Sequence, residues 1–423
     1  MTRLAVGLVL ALCAARAQAV EWDSGDWKLD FTASVRQLLT VTRELDVRDL
    51  PLDPNLPVPL RSTLLDVTRL RLQVEARYGD HWSGQLAYDN EWYLGTGRDS
   101  LAFRAAEALG SPTWLDLDQT LVDSGDLTWR HLLYRGWVRY QSDAFEAVLG
   151  RQRIALGRAQ LWNISDIFNP IPPLAVEADQ RIGVDALLAR VRLVDDLWGA
   201  LIVAPEEHDQ HPRSALRLEL SERQVDGALM VAKIDRDYVA GFDFSTNLGD
   251  AALRGELTET WHFHGRQGPG CLAPDCREHG RNTLQAVLSL DYTIPVGTGL
   301  YALVEHFYNQ NVLSHDSLAG ALAADTGLVL LAQRLVPPPQ FQTFSRNQTG
   351  FELGYDLTPI LRANVLWIHD WNGPSEAWVP SLVWSVRSDL DLTAGVQLYG
   401  GSDGSGDYGG RAPLYFARLD LYF

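Results

Sequence analysis

The sequence contains very little lysine. Lys28 and Lys233 are its only two lysines, so arginine supplies nearly all of the 36 basic residues. The formal net charge of −18 argues against a nucleic-acid partner, because nucleic-acid binding requires a basic field. Arginine stays charged when partly desolvated and binds carboxylates through a planar fork. The basic residues are therefore suited to partly buried ion pairs or to binding an anion.

Long apolar runs are absent after residue 20, so no membrane-spanning helix is expected. The first 19 residues have the features of a cleaved signal peptide. Arg3 provides a basic start, residues 4–15 form a short apolar core, and Ala17-Gln18-Ala19 is a cleavage site. Removal of Arg3 and Arg16 with this segment changes the net charge from −18 to −20. The sequence thus predicts an exported protein in which residues 20–423 form one domain.

Cysteine is scarce, with three residues in all. Cys13 lies in the predicted signal peptide, whereas Cys271 and Cys276 stand close together in GPGCLAPDC. An exported protein folds in an oxidising compartment, so we predict a disulfide between Cys271 and Cys276. The neighbouring histidines match no zinc-binding spacing, and no C-x-x-C-H motif for haem attachment occurs. Neither a metal nor a cofactor is expected.

Apolar and polar residues alternate along most of the chain. In residues 69–78, RLRLQVEARY, every second residue from Leu70 onwards is apolar, and the residues between them are charged or polar. Residues 283–292, 389–398 and 415–423 follow the same pattern. A period of two is typical of β-strands with one apolar face.

A transmembrane barrel explains this alternation better than a soluble β-sandwich does. The segments run about 10 to 15 residues, the length of tilted membrane strands. Short and long connections alternate, as expected for periplasmic turns and outer loops. Aromatic residues near the predicted strand ends resemble an interfacial girdle; they are Trp82, Trp92, Tyr134, Tyr140, Trp261, Tyr308, Tyr355, Trp367 and Trp384.

The fold class predicted is therefore all-β, a transmembrane antiparallel β-barrel with 18 strands. A barrel of 16 is the alternative if the two weakest strands, 213–221 and 223–233, do not form. Short helices are expected in outer loops, at Ser100–Leu109 and Asp316–Val336. The predicted strands are 27–43, 60–78, 81–93, 127–141, 144–154, 180–193, 196–204, 213–221, 223–233, 237–246, 250–264, 280–293, 298–310, 344–357, 360–371, 376–387, 389–400 and 411–423.

Arginines predominate on the predicted inward face of the first half of the barrel. His131 shares this face by strand parity. A ring of arginines in a pore favours anions, because fixed cations replace the lost hydration. The alternative is that the arginines pair with acids across strands and fill the interior. The candidate solute-binding residues are Arg36, Arg69, Arg71, Arg77, Arg135, Arg139, Arg151, Arg153, Arg158, Arg190 and Arg192.

Residues 150–173, GRQRIALGRAQLWNISDIFNPIPP, form the most distinctive stretch. A long loop with several prolines and with arginines at its base is a candidate for folding back into the pore. The G-R-Q strand end, the following Gly157-Arg158 and the Trp/Asn/Asp/Phe loop resemble the alginate-export outer-membrane proteins. The resemblance implies an 18-stranded barrel, an arginine-rich lumen and passive export of an anionic polysaccharide. A similar G-R-Q…N-P signature occurs in other porin-like barrels.

These observations predict a passive, non-enzymatic channel of the bacterial outer membrane, surrounded by outer-membrane lipid, for an anionic or saccharide solute. A barrel scaffold, for example in an electron conduit, and an uptake channel for another solute are alternatives. An outer-membrane enzyme is less favoured, because the only G-x-S-x-G match, at residues 400–404, lies in a glycine-rich loop rather than at a strand-to-helix elbow.

The chain ends in an aromatic residue, Phe423, on the apolar face of the last predicted strand. It resembles the C-terminal aromatic residue that the outer-membrane assembly machinery recognises. We therefore expect that machinery to be a partner.

Overall fold

The computed structural model describes residues 20–45, 60–100, 103–104, 113–125, 127–181, 183–205, 212–234, 237–261, 282–310, 343, 345–402 and 405–423. The predicted signal peptide (1–19), Cys271, Cys276 and the predicted helix 316–336 lie outside these residues. Within them, Ser100, Phe103 and Arg104 represent the predicted helix 100–109, and the amide of Arg104 donates to the carbonyl of Ser100 (3.1 Å). A short 3-10 helix, Thr96–Asp99, precedes them.

Twenty strands are present in the described residues. They are β1 (Val20–Ser24), β2 (Trp27–Leu45), β3 (Leu60–Tyr78), β4 (Trp82–Leu94), β5 (Asp118–Ser124), β6 (Leu127–Gln141), β7 (Phe145–Gln152), β8 (Val184–Val194), β9 (Leu197–Ala204), β10 (Arg213–Ser221), β11 (Val225–Ile234), β12 (Asp237–Leu248), β13 (Ala251–Trp261), β14 (Thr283–Ile294), β15 (Leu300–Asn309), β16 (Asn347–Thr358), β17 (Leu361–Asp370), β18 (Ser375–Arg387), β19 (Leu390–Gly400) and β20 (Leu414–Tyr422).

Eighteen of these strands form a closed antiparallel barrel, in which β20 returns to pair with β2 from Ser34↔Tyr422 to Val41↔Tyr415. The closure extends to the last residue, because the amide of Phe423 donates to the carbonyl of Ala33 (2.8 Å) and the amide of Ala33 donates to the main-chain oxygen of Phe423 (3.2 Å). All 18 predicted strands are present, so the prediction of 18 is confirmed and the alternative of 16 is wrong.

Two short strands lie outside the ring. β1 pairs with Trp27–Phe31 of β2, before the pairing of β2 with β20 starts at Ser34. β5 pairs with the part of β6 that has separated from β7. The sequence analysis missed both. β1 has five residues and β5 has seven, and neither buries a face that would impose an alternating pattern.

Large apolar side chains project from the outer face of the barrel. Leu72 is 49% exposed, Leu149 65%, Leu216 62%, Leu229 58% and Leu288 56%. A band of this kind is stable only against lipid, because a soluble protein would bury it. Within the described ranges, no helix is long and apolar enough to cross a membrane.

The two ends of the barrel differ in the length of their connections. At one end the strands are joined by tight turns, such as 79–81, 142–144 and 195–196, and the described chain begins and ends there. At the other end most of the connections are longer, and 153–183 is the longest whose residues are nearly all described. In outer-membrane barrels the short turns are periplasmic and the long loops are extracellular.

A β-bulge in β6 corrects the prediction that His131 faces inward. Ala87 pairs with Arg135 and Tyr88 pairs with Leu133, so Tyr134 is an extra residue that reverses the alternation. His131 therefore lies on the outer face, where its Nδ1 is 2.6 Å from the hydroxyl of Tyr88.

Candidate functional site

The connection between β7 and β8, residues 153–183, folds back against the inner wall of the barrel. We call it the constriction loop. Its apolar side chains Ile154, Leu156, Ile167 and Phe168 are at most 7% exposed. They pack on small and branched residues of the inner face of β8 to β12, which are Val184, Ala186, Ile202, Ala204, Ala215, Met230, Ala232, Ile234 and Val239. Burial of these apolar surfaces holds the loop inside the lumen.

Two buried wall carboxylates fasten the backbone of the loop. Glu305, on β15, accepts hydrogen bonds from the amides of Gln160 (2.8 Å), Leu161 (3.0 Å) and Trp162 (2.7 Å). Glu256, on β13, accepts from the amides of Arg158 (2.5 Å), Ala159 (2.6 Å) and Ser165 (2.8 Å). These six hydrogen bonds to buried carboxyl oxygens fix residues 158–165 to the wall.

Gly157 makes the sharp turn before the first of these bonds. Its φ is +81°, a conformation that disfavours residues with a Cβ atom. A Cβ atom there would also collide with Oδ1 of Asn163 and Oε1 of Glu256. The turn therefore requires glycine both for its backbone angles and for the close approach of the loop to Glu256.

Trp162 is the largest buried side chain of the loop, at 1% exposure. It stacks on Phe307 of β15, with ring centroids 5.6 Å apart and ring planes 11° apart. Ile164, Val287, Ile368, Ala377 and Tyr408 complete this second apolar cluster. The loop thus packs against β14 to β18 as well as β8 to β12.

The far end of the loop reaches the wall formed by β20, β2 and β3. Glu177 accepts from Arg36 (3.4 Å) and Arg69 (3.0 Å). Asp179 accepts from Arg36 (2.7 Å) and Arg418 (3.5 Å). Burial acts to raise the pKa of Asp179, but hydrogen bonds from Arg36 and Gln180 and the nearby positive charges outweigh it and lower the pKa to about 2. Asp179 is therefore ionised at neutral pH.

Asp166 is a buried carboxyl within the loop. It forms an ion pair with Arg181 (2.5 Å) and accepts from the amide of Asn169 (3.1 Å). Its burial outweighs these interactions and raises its pKa to about 6. The charge of Asp166 therefore changes in the range of mildly acidic pH.

Two predicted arginines of β3, Arg69 and Arg71, are held by carboxylates of β4. Nε of Arg69 donates to Glu91 (2.7 Å), and Arg71 binds Asp89 through two hydrogen bonds of 2.7 Å. Arg36 pairs with Asp420 of β20. The alternative interpretation, that inward arginines pair with acids across strands, thus describes these three residues, although each also contacts the constriction loop.

Four further predicted arginines lie nearer the short-turn end. Arg77 pairs with Asp30 (2.8 Å), Arg139 lies 3.6 Å from Glu146, and Arg190 binds both Glu146 (3.1 Å) and Glu219 (2.5 Å). The guanidinium of Arg192 lies 5.2 Å from the ring centroid of Trp198.

The predicted arginines around the base of the loop have different partners. Arg151 is buried and binds Asp185 through two hydrogen bonds of 2.9 Å. Arg158 pairs with Asp243 (3.1 Å). Arg135 stacks on Tyr134 (4.1 Å) and donates to backbone carbonyls.

In the described part of the chain, three of the predicted arginines have no carboxylate within ion-pair distance. They are Arg135, Arg153 and Arg192.

The structure adds residues to the site that the sequence analysis missed. Arg130, placed inward by the bulge in β6, binds Glu91 (2.7 Å), and Arg217 binds Asp243 (2.7 Å). Arg217 belongs to one of the two weakest predicted strands. The loop acids Glu177 and Asp179 carried no signal, because nothing in the sequence shows which wall a loop reaches. No group of three or more metal-ligating side chains occurs among the residues described.

A cavity of about 440 Å³ lies beside the far end of the loop. Arg36, Arg69 and Arg71 line it from the wall, and Asp179 and Gln180 line it from the loop. The site is thus a narrowed lumen with guanidinium groups on one side and loop carboxylates on the other.

No protein-family model and no curated protein matches the sequence. The structure is similar to solved porins, including Acinetobacter baumannii OccAB1 (10% identity, 93% of this chain and 96% of that chain, TM-score 0.56). It is also similar to Pseudomonas aeruginosa OccK8 (OprE) (9%, 93% and 98%, TM-score 0.53) and to P. aeruginosa OccK2 (OpdF) in complex with glucuronate (10%, 93% and 96%, TM-score 0.50). These are outer-membrane β-barrel porins, and the shared feature is the fold. A closed 18-strand barrel of this type, with an apolar outer belt, is an integral protein of the Gram-negative outer membrane.

Proposed function

We propose that the protein is a passive channel for small anionic solutes, with the constriction loop and the facing arginines as its selective region. The observation that carries the proposal is the cavity of about 440 Å³ lined by Arg36, Arg69 and Arg71. Fixed guanidinium groups in a pore replace the hydration that an anion loses on entering.

At the base of the constriction loop, the positive charge of the arginines is incompletely compensated, which supports a preference for anions. Wall carboxylates neutralise much of the charge of Arg36, Arg69 and Arg71. Arg135 and Arg153 contribute further positive charge at the base of the loop. An anion is attracted to the base of the loop. In the cavity it then meets Arg36, Arg69 and Arg71, which can bind it in place of a carboxylate partner.

A carboxylate-bearing solute such as a sugar acid fits this chemistry. Arginine binds carboxylates through two parallel hydrogen bonds, and the similar OccK2 structure contains glucuronate. Export of an anionic polysaccharide, which the resemblance to alginate-export proteins implies, is a narrower form of the same proposal. It requires the constriction loop to withdraw, since a polymer threads through the whole lumen.

The test is the reversal potential of single channels in a planar bilayer under a salt gradient. We expect the wild type to prefer anions and the Arg69→Ala/Arg71→Ala variant to shift towards cations. Arg387→Ala is the control, because Arg387 pairs with Asp389 at an exposed periplasmic turn. A wild type that prefers cations, with no shift in the double variant, would overturn the proposal.

Recognition of Phe423 by the outer-membrane assembly machinery belongs to the same proposal. Its support is the antiparallel pairing of Phe423 with Ala33, which makes this residue part of the last strand to close the barrel. Deletion of Phe423 should lower the amount of folded barrel in the outer membrane, whereas Tyr415→Phe, a change on the outer face of the same strand, should not.

A further inference from the structure

The far end of the constriction loop occupies a place where a solute would bind. Glu177 lies between Arg36 and Arg69, and Asp179 lies between Arg36 and Arg418. The three arginines stand on three adjacent strands, β20, β2 and β3. Two carboxylates therefore bind side by side to a row of three guanidinium groups, with Arg36 shared between them.

The wall holds these arginines in place independently of the loop. Arg36 and Arg418 both bind Asp420, and Arg69 binds Glu91. A guanidinium group carries five N–H donors, so each arginine keeps donors for the lumen after binding its wall partner. The row is thus preorganised, and it stays in position if Glu177 and Asp179 leave.

The loop carboxylates are also within reach of a solute. The side chain of Asp179 is 49% exposed and that of Glu177 is 21% exposed, whereas the wall partners Asp420 and Glu91 are each 4% exposed. Arg36, Arg69 and Asp179 all border the 440 Å³ cavity. A solute in that cavity therefore meets the arginines where the loop carboxylates bind them.

We propose that Arg36, Arg69 and Arg418 form a two-carboxylate binding site that Glu177 and Asp179 occupy as intramolecular competitors. A solute with two carboxylates displaces the end of the loop and takes over its hydrogen bonds, and a solute with one carboxylate displaces only one of the pair. The inference rests on the proposed channel function and adds to it the class of solute preferred and the residues that set its affinity.

Competition from a tethered group lowers the apparent affinity of the solute. A short tether gives an effective concentration in the millimolar range or above, so removing the competitor raises the apparent affinity by about tenfold or more. Glu177→Gln/Asp179→Asn removes both charges with little change in shape. Asp389→Asn, at a periplasmic turn, is the matched control.

The experiment measures block of single-channel current by glutarate, with two carboxylates, and butyrate, with one. In the double variant we expect the glutarate concentration for half-block to fall by about tenfold or more, and that for butyrate to fall less. The single variant Glu177→Gln should give an intermediate value and keeps the test informative if the double variant folds poorly.

Equal block of the wild type and both variants by glutarate would overturn the competitor role. An anion-selective wild type with that result would leave the channel proposal standing. A cation-selective wild type that neither solute blocks would instead contradict the channel proposal itself.

Discussion

Glu305 should control whether the constriction loop stays inside the lumen. This fully buried carboxylate accepts three hydrogen bonds, from the amides of Gln160, Leu161 and Trp162. Glu305→Ala leaves three amides of the packed loop without their acceptor, and each lost bond to a charged group costs about 1.5–3 kcal/mol. Because the three bonds share one carboxylate and are not additive, we expect a total near 4 kcal/mol.

A loss of about 4 kcal/mol shifts the equilibrium between the inserted and the released loop by roughly a thousandfold. Single-channel recording should then show frequent transitions to a wider state with higher conductance. Glu305→Gln keeps an acceptor oxygen but loses the charge, so it should lie between the wild type and Glu305→Ala.

The control for Glu305 is Glu352→Ala. Glu352 faces the lumen from the adjacent strand β16, and among the described residues it accepts no hydrogen bond from the loop. Its replacement should leave the conductance of the wider state and its frequency unchanged. If Glu305→Ala has the conductance of the wild type, or Glu352→Ala opens the channel equally, the role assigned to Glu305 is incorrect.

Three further changes should also act on the loop. The pKa of Asp166 has its ordinary value of 3.8 when the loop is released and is about 6 when the loop is inserted. The inserted state is therefore favoured at low pH. It loses on the order of 3 kcal/mol of stability as the pH rises from about 4 to above 6. Conductance should rise over that range, and Asp166→Asn should reduce the pH dependence. Gly157→Ala should release the loop, because a Cβ atom at position 157 collides with Glu256. A crystal structure of the variant with the loop still inserted would contradict this. Trp162→Ala should cost about 3–5 kcal/mol of loop packing on Phe307, measured as faster proteolysis of the loop in folded barrels, with exposed Trp114→Ala as the control.

The strands could be predicted from the sequence because one face of each is in contact with lipid. Residues 60–78 and 127–141 were predicted with the observed bounds, since lipid requires an apolar residue at every second position. The bulge at Tyr134 was not predictable. One inserted residue exchanges the two faces without leaving a local signal in a strand that contains aromatic residues on both, and so His131 was placed on the wrong face.

The candidate site was predicted less completely than the fold. The sequence identified Arg36, Arg69 and Arg71 as inward-facing, which depends only on strand parity. The loop carboxylates Glu177 and Asp179, which bind Arg36 and Arg69, lie more than 100 residues away along the chain. Their contact with the wall depends on the path of a loop that has no repeating pattern. Which arginines have a carboxylate partner and which do not could therefore be seen only in the structure.

The sequence does contain one sign that a loop packs against the inner wall at β9 and β11. Residues 200–204 read ALIVA and residues 228–232 read ALMVA, which are apolar on both faces, unlike the alternating strands elsewhere. The outward residues meet lipid, but an apolar inner face in a water-filled pore would be unfavourable unless something covered it. The inward residues Ile202, Ala215 and Met230 are at most 2% exposed because the constriction loop packs on them. Apolar residues on both faces of neighbouring barrel strands therefore indicate where an inserted loop rests, and small residues such as Ala215 indicate that it rests close to the wall.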